Sequence, residues 1–144
     1  VGTDHVPGFR DEIVNEGDVW QSASGMTGSA TLLPLLLSEG VNQGRITIER
    51  VAQVTSENTA KAIHLYPRKG VIQVGSDADL VLVDLNEKRV VRGEDLHTAS
   101  DFCVFEGREL AGWPVMTMVR GNVVMEKGTL VGEPTGQYLH RKLT

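Results

Sequence analysis

Asp4 and His5 lie in a short stretch, Val1-Gly2-Thr3-Asp4-His5-Val6-Pro7, that reads as the close of a buried strand. It delivers a carboxylate, then an imidazole, to a strand-to-loop edge. At the C-terminal end of a barrel strand, such a carboxylate serves metal-assisted hydrolysis as a ligand or general base. Taken alone, an Asp-His pair more often belongs to a turn, with the Asp as its cap and the His solvated. A second stretch, Ser22-Ala23-Ser24-Gly25-Met26-Thr27-Gly28-Ser29, is small and glycine-rich, which lets backbone approach a bound molecule closely. Such a run without context is usually only a turn. The phosphate-loop reading fails for want of a Lys-Ser/Thr ending.

The remaining reactive residues have plainer readings. His64 has no second His or carboxylate at ligand spacing on its helix face, so it reads as a surface or capping residue. His97 and His140 lie in polar stretches and read as surface residues. Cys103 is the sole cysteine, which excludes an internal disulfide and fits a reducing, cytoplasmic setting; its side chain reads as a small buried apolar group. No His-x-His pair occurs anywhere in the chain.

These residues must be positioned by a modest amount of structure. The chain has 144 residues, enough for one domain with a core of its own, and its 40% hydrophobic and 23% charged content belongs to the globular class. A formal charge of −5 gives no electrostatic reason to expect nucleic acid. No run of 18 apolar residues and no basic-then-apolar leader occurs, so neither a membrane span nor a signal peptide is expected.

In chain order, Gly8 to Gln21 is polar and acidic and reads as a surface loop beside the pocket. Ala30 to Glu39 reads as a buried helix that starts near Pro34 or bends there, closed by Gly40 and Gly44. Thr47 is a good N-cap for a helix ending near Thr55, with Ile46 and Val51 at the spacing of a hydrophobic staple. Ser56 or Asn58 caps a second short helix, which Pro67 stops. From Val71 the period changes to two. Residues 78–84 and 88–92 read as strands around an Asn86-Glu87 turn, and residues 116–125 as a hairpin turning at Gly121-Asn122. Lys127-Gly128 offers a further turn. Residues 92–112 read as an irregular crossing in which Phe102, Phe105 and Trp113 are packing anchors.

Several blocks then come together. Thr3-Asp4-His5-Val6-Pro7, Ser24-Gly25-Met26-Thr27-Gly28, Gly44-Arg45-Ile46-Thr47, Thr55-Ser56-Glu57-Asn58-Thr59-Ala60-Lys61, Gly75-Ser76-Asp77-Ala78-Asp79-Leu80-Val81 and Gly112-Trp113-Pro114-Val115 occur in order. Together they resemble the cyclic amidohydrolases, the family of dihydroorotases, allantoinases and hydantoinases. The resemblance implies an α/β parent, a metal-dependent TIM-like barrel plus a β-sandwich. A barrel alone takes about 250 residues, so the chain is expected to be the C-terminal third of a longer enzyme. Residues 1–69 would hold the last barrel strand, its loop and helices. Residues 70–93 and 114–132 would be sandwich strands, 94–113 a crossing loop and 133–144 a tail.

The resemblance also implies roles. The family opens a cyclic amide with metal-activated water, at a binuclear zinc site in the complete enzyme. Asp4 matches the last metal ligand, which takes a proton from the water and returns it to the leaving nitrogen. His5 would stand behind that ligand or in the pocket wall, and Ala23, Ser24 and Gly25 would bind the substrate through main-chain groups. Asp4 alone cannot build a site that needs three or more protein ligands, so the isolated chain is expected to bind no metal and to be inactive. Gly8 stands where many dihydroorotases carry a histidine, and Ser24 where hydantoinases commonly carry Asn. A dihydroorotase-like or allantoinase-like parent is slightly favoured. The expected partner is a small cyclic amide, in a homo-oligomer, with no nucleic acid and no membrane. Two other classes stay open: a non-catalytic scaffold that has lost its ligands, and a self-associating module.

Overall fold

The computed structural model describes residues 1–9, 18–21 and 25–140. Helices come first and strands later, as the change of period predicts. Residues 10–17 of the expected surface loop lie outside the described residues; its end forms a short 3-10 turn, Val19–Gln21.

In this segment the stretch expected to be a buried strand forms no extended ladder. Its only ladder contact among the described residues is a single parallel bridge between His5 and Met26, and Val1 and Val6 are exposed. A strand exists only where a neighbour pairs with it, and Met26 is the one neighbour described here.

Helix α1 (Leu32–Leu35) opens on a turn in which Thr31 and Leu32 donate to the Gly28 carbonyl at 3.2 and 3.0 Å. Pro34 therefore sits in the first helical turn, where its missing amide leaves no bond unmade. Gly40 does not end the helix. The chain widens into a π-helical segment, Leu36–Val41, and the turn follows at Gly44, whose φ is +66°. Ile46 explains Gly40, because a Cβ there would stand 2.8 Å from the Ile46 side chain.

Helix α2 (Ile48–Ala52) starts as the sequence predicts, with the Thr47 hydroxyl accepting from the Arg50 amide at 3.2 Å. It does not stop near Thr55. A π segment, Gln53–Glu57, carries it straight into helix α3 (Asn58–Ala62). The Thr55 and Thr59 hydroxyls donate to the carbonyls of Val51 and Val54 at 2.8 and 3.3 Å, which satisfies acceptors in the widened region. The end of α3 is a Schellman motif. Leu65 donates to the Ala60 carbonyl, His64 to that of Lys61, and His64 is left-handed at φ +59°.

Four strands form one antiparallel meander: β1 (Leu80–Val90), β2 (Glu109–Val119), β3 (Asn122–Glu126) and β4 (Thr129–Leu130). Both tight turns, Arg120-Gly121 and Lys127-Gly128, have two positive φ angles, the geometry that matches strand twist. The first lies one residue earlier than expected. The two strands expected over 78–92 are one, interrupted by a bulge: Asp84 faces Trp113, whereas Lys88 faces Ala111. The Asn42 amide bridges this break, donating to the carbonyls of Leu85 and Ala111 at 3.0 Å each. The expected crossing loop over 94–113 gives up its last residues to β2, because Glu109, Leu110 and Ala111 pair with Val90, Arg89 and Lys88. Among the described residues the expected sandwich strands thus make a single layer.

The core lies where α1 meets β2. Val91, Cys103, Leu110 and Trp113 are buried together, with Leu35, Leu96 and Phe105 packed on them. Trp113 donates its indole N–H to the Leu110 carbonyl at 2.9 Å, and the Arg89 guanidinium lies 5.2 Å over its ring. At the other end Lys69 bridges Asp77, at 2.9 Å, and Asp79, while Arg68 reaches Asp77 and the Arg120 amide donates to Asp79. This cluster clamps the helical half to the start of β1 and to the β2–β3 turn. Between the clamp and α2 runs a groove of about 800 Å³, lined by Ile48, Val51, Ile63, Val81 and Val83 among others. No helix among the described residues is long and apolar enough to cross a membrane.

Candidate functional site

Asp4 stands exposed at a backbone position that L residues adopt reluctantly, φ +49°. Short polar side chains tolerate it best, at about 1 kcal/mol or more of strain. Such strain persists only where the surroundings hold it, and both flanks of Asp4 are held. On one side Thr3 packs on Gly28, where a Cβ would stand 3.2 Å from the threonine. On the other, the Val6 amide donates to the Met26 carbonyl at 3.1 Å.

His5 does more than follow in sequence. Its Nδ1 accepts from the backbone amides of Gly28 and Ser29, at 3.1 and 3.3 Å. These amides belong to the turn that leads into α1, and the imidazole accepts from them as a capping side chain would. An Nδ1 that accepts carries no hydrogen, so the neutral ring bears its proton on Nε2.

Gly25 lies against the same segment. A Cβ at Gly25 would be 2.8 Å from Cγ1 of Val6 and 3.2 Å from the Val6 carbonyl. The close approach that its sequence suggests is therefore made to the neighbouring chain segment. Ala23 and Ser24 lie outside the described residues. The structure thus brings Asp4, His5 and Gly25 into one neighbourhood although twenty residues separate His5 from Gly25.

Support from below comes from residues that sequence spacing could not reveal. The Ser100 hydroxyl accepts from the Gly8 amide at 2.9 Å, across 92 positions, and Thr27 donates to the Phe102 carbonyl at 3.4 Å. Ser100, Thr27 and Thr31 are all buried. His64 is exposed at the end of α3, His97 pairs through Nε2 with the Gly128 carbonyl at 2.9 Å, and His140 packs edge-on against Tyr138. None of them joins Asp4.

Residues 1–124 match the profile of the Amidohydrolase family. The chain belongs to that family. It is 41% identical over 140 residues to an L-hydantoinase of Paenarthrobacter aurescens and 43% identical over 130 residues to a dihydroorotase of Halobacterium salinarum. These alignments cover 96% and 90% of this chain but only 29% and 30% of the relatives. The solved D-hydantoinase of Bacillus sp. AR9 superposes with a TM-score of 0.91 at 38% identity, over 97% of this chain and 31% of that one. This amidohydrolase chain thus spans less than a third of the length of these relatives, and it is a partial segment.

The donor set is correspondingly small. Among the described residues no three His, Cys, Asp or Glu side chains gather where they could hold a metal ion. Asp4 is a single carboxylate, short of the three protein ligands that a catalytic zinc takes. The described residues alone do not build a metal site.

Proposed function

We propose that this segment is the C-terminal part of a cyclic amidohydrolase that opens the C–N bond of a cyclic amide, with Asp4 as its proton-transfer group. The observation that carries the reading is the left-handed Asp4, held on one flank by Val6 and Met26 and backed by the His5 cap. Family membership supports it. In the complete enzyme, a last barrel strand would end at Asp4, and zinc would supply an activated water, held mostly by residues outside this segment.

The work of Asp4 itself is simple. As water adds its oxygen to the ring carbonyl carbon, the carboxylate accepts the proton released. When the C–N bond breaks, Asp4 returns that proton to the departing nitrogen, so one water is consumed and the carboxylate is regenerated. Ala23, Ser24 and Gly25 would hold the ring through main-chain groups. A hydantoinase and a dihydroorotase match at similar identity, so the substrate class is the cyclic amide ring that their names share. The test is hydrolysis of hydantoin and of dihydroorotate by the full-length protein, with and without the Asp4 carboxylate. Turnover that survives Asp4→Asn overturns the reading.

A second reading, a self-associating module, is favoured by one observation. Ile72 and Val74 are exposed at 86% and 102%, and Ile72 and the half-exposed Val81 line the apolar groove. Sedimentation of the isolated chain tests it: a monomer at all concentrations removes this reading.

A further inference from the structure

We infer that His5 is a positioning residue, a latch that ties the backbone of the glycine-rich loop to the segment bearing Asp4. The inference rests on the reading of Asp4 as the proton-transfer group and assigns the adjacent imidazole a specific task. Besides the packing of Thr3 on Gly28, the two segments are joined in three ways. Val6 donates to the Met26 carbonyl, Gly28 and Ser29 donate to His5 Nδ1, and Gly25 packs on Val6 with no room for a Cβ. Among the described residues only one side chain makes hydrogen bonds from one segment to the other. That side chain is His5.

The geometry explains why an imidazole is used. Two amide hydrogens converge on one acceptor and share the lone pair of a neutral nitrogen, which places no second negative charge beside the Asp4 carboxylate. A carboxylate at position 5 would accept as well, but its charge would repel that of Asp4. An alanine would leave two amides of the turn without their side-chain partner. Since those amides lead into α1 and follow directly on Gly25 to Thr27, losing the latch frees the loop and the strained Asp4 together. The ring nitrogen therefore fixes the distance between the backbone of residues 25–29 and the group that would move the proton.

His5→Ala and His5→Asn separate the latch from simple packing. Asn places a carbonyl oxygen close to where Nδ1 stands and can accept the same amides. On this chain, amide exchange of Gly28 and Ser29 should speed up at least tenfold in His5→Ala and return close to the parent rate in His5→Asn. The imidazole nitrogens of the unsubstituted chain should show the tautomer with hydrogen on Nε2. In the full-length protein, His5→Ala should lower kcat/KM by about 100-fold, the scale of a small misplacement of reacting groups, with both kcat and KM affected and His5→Asn recovering most of the loss. An Nδ1–H tautomer, unchanged exchange at Gly28 and Ser29, or an Asn variant no better than Ala overturns the latch. Retained turnover in Asp4→Asn overturns the underlying reading instead, and the exchange data would then still judge the latch alone.

Discussion

Gly112 of β2 stands so close to Leu37 that a Cβ at position 112 would lie 2.7 Å from the Leu37 Cβ. Gly112 also has φ +104°, a conformation in which a side chain is strained whatever the space. Leu37 is fully buried, and the Ser38 hydroxyl beside it accepts from the Ala111 amide at 3.1 Å. The approach of α1's continuation to the sheet is therefore set by a missing methyl group. Gly112→Ala should destabilise the chain by about 1–3 kcal/mol, the usual range for overpacking. Urea unfolding measures it, and an unchanged midpoint would show that the two elements separate without loss.

His64 invites the opposite change. It is the left-handed residue of a Schellman motif, a place that glycine fills without steric penalty. His64→Gly should raise stability by about 1 kcal/mol. A loss of stability would mean that the exposed imidazole makes a contact worth more than the strain it causes.

The Lys69 clamp predicts a pH dependence with a definite sign. The hydrogen bond from Lys69, joined by that from Arg68, holds the Asp77 carboxyl below its ordinary range. For Asp79, desolvation pushes upward, but the bonds from Lys69 and the Arg120 amide outweigh it and hold the carboxyl low. For Lys69, desolvation pulls downward and the bonds to Asp79 and Asp77 outweigh it, so the ammonium is held high. Depressed carboxylates contribute stability that is complete above their unfolded value, about 3.9, and is lost as pH falls through the folded values. The raised lysine contributes stability that is complete below about 10.4 and is lost as pH rises through its folded value. Lys69→Met should therefore cost most between these limits and flatten both limbs of the stability profile. Parallel acid and alkaline losses in the two proteins would rule out the clamp.

Much of this architecture is legible in the residues, for identifiable reasons. Thr47 caps its helix because its hydroxyl needs only the local backbone, and the β2–β3 hairpin follows from a two-residue glycine turn between apolar strands. What escapes a linear reading depends on distant partners. The α2–α3 helix continues past Thr55 because threonine hydroxyls satisfy carbonyls within a π segment, a choice that propensity alone does not make. The single long β1 needs Asn42, some forty positions upstream, to bridge its bulge. At the candidate site, Asp4, His5 and Gly25 can be picked out by type and motif. The imidazole cap on Gly28 and Ser29 cannot, since nothing in their spacing announces it.

The central claim is that Asp4 moves the proton in the opening of a cyclic amide. Steady-state hydrolysis of hydantoin, dihydroorotate and allantoin by the full-length protein and its Asp4→Asn variant tests it most directly. Asn keeps the shape of the side chain and tolerates the left-handed backbone, so folding should be unaffected. The expected result is turnover of at least one ring by the parent and a fall of kcat by about 10²–10⁴-fold in the variant, the usual contribution of general acid-base catalysis. Equal rates in the two proteins, or no turnover of any of the three rings by the parent, would contradict it.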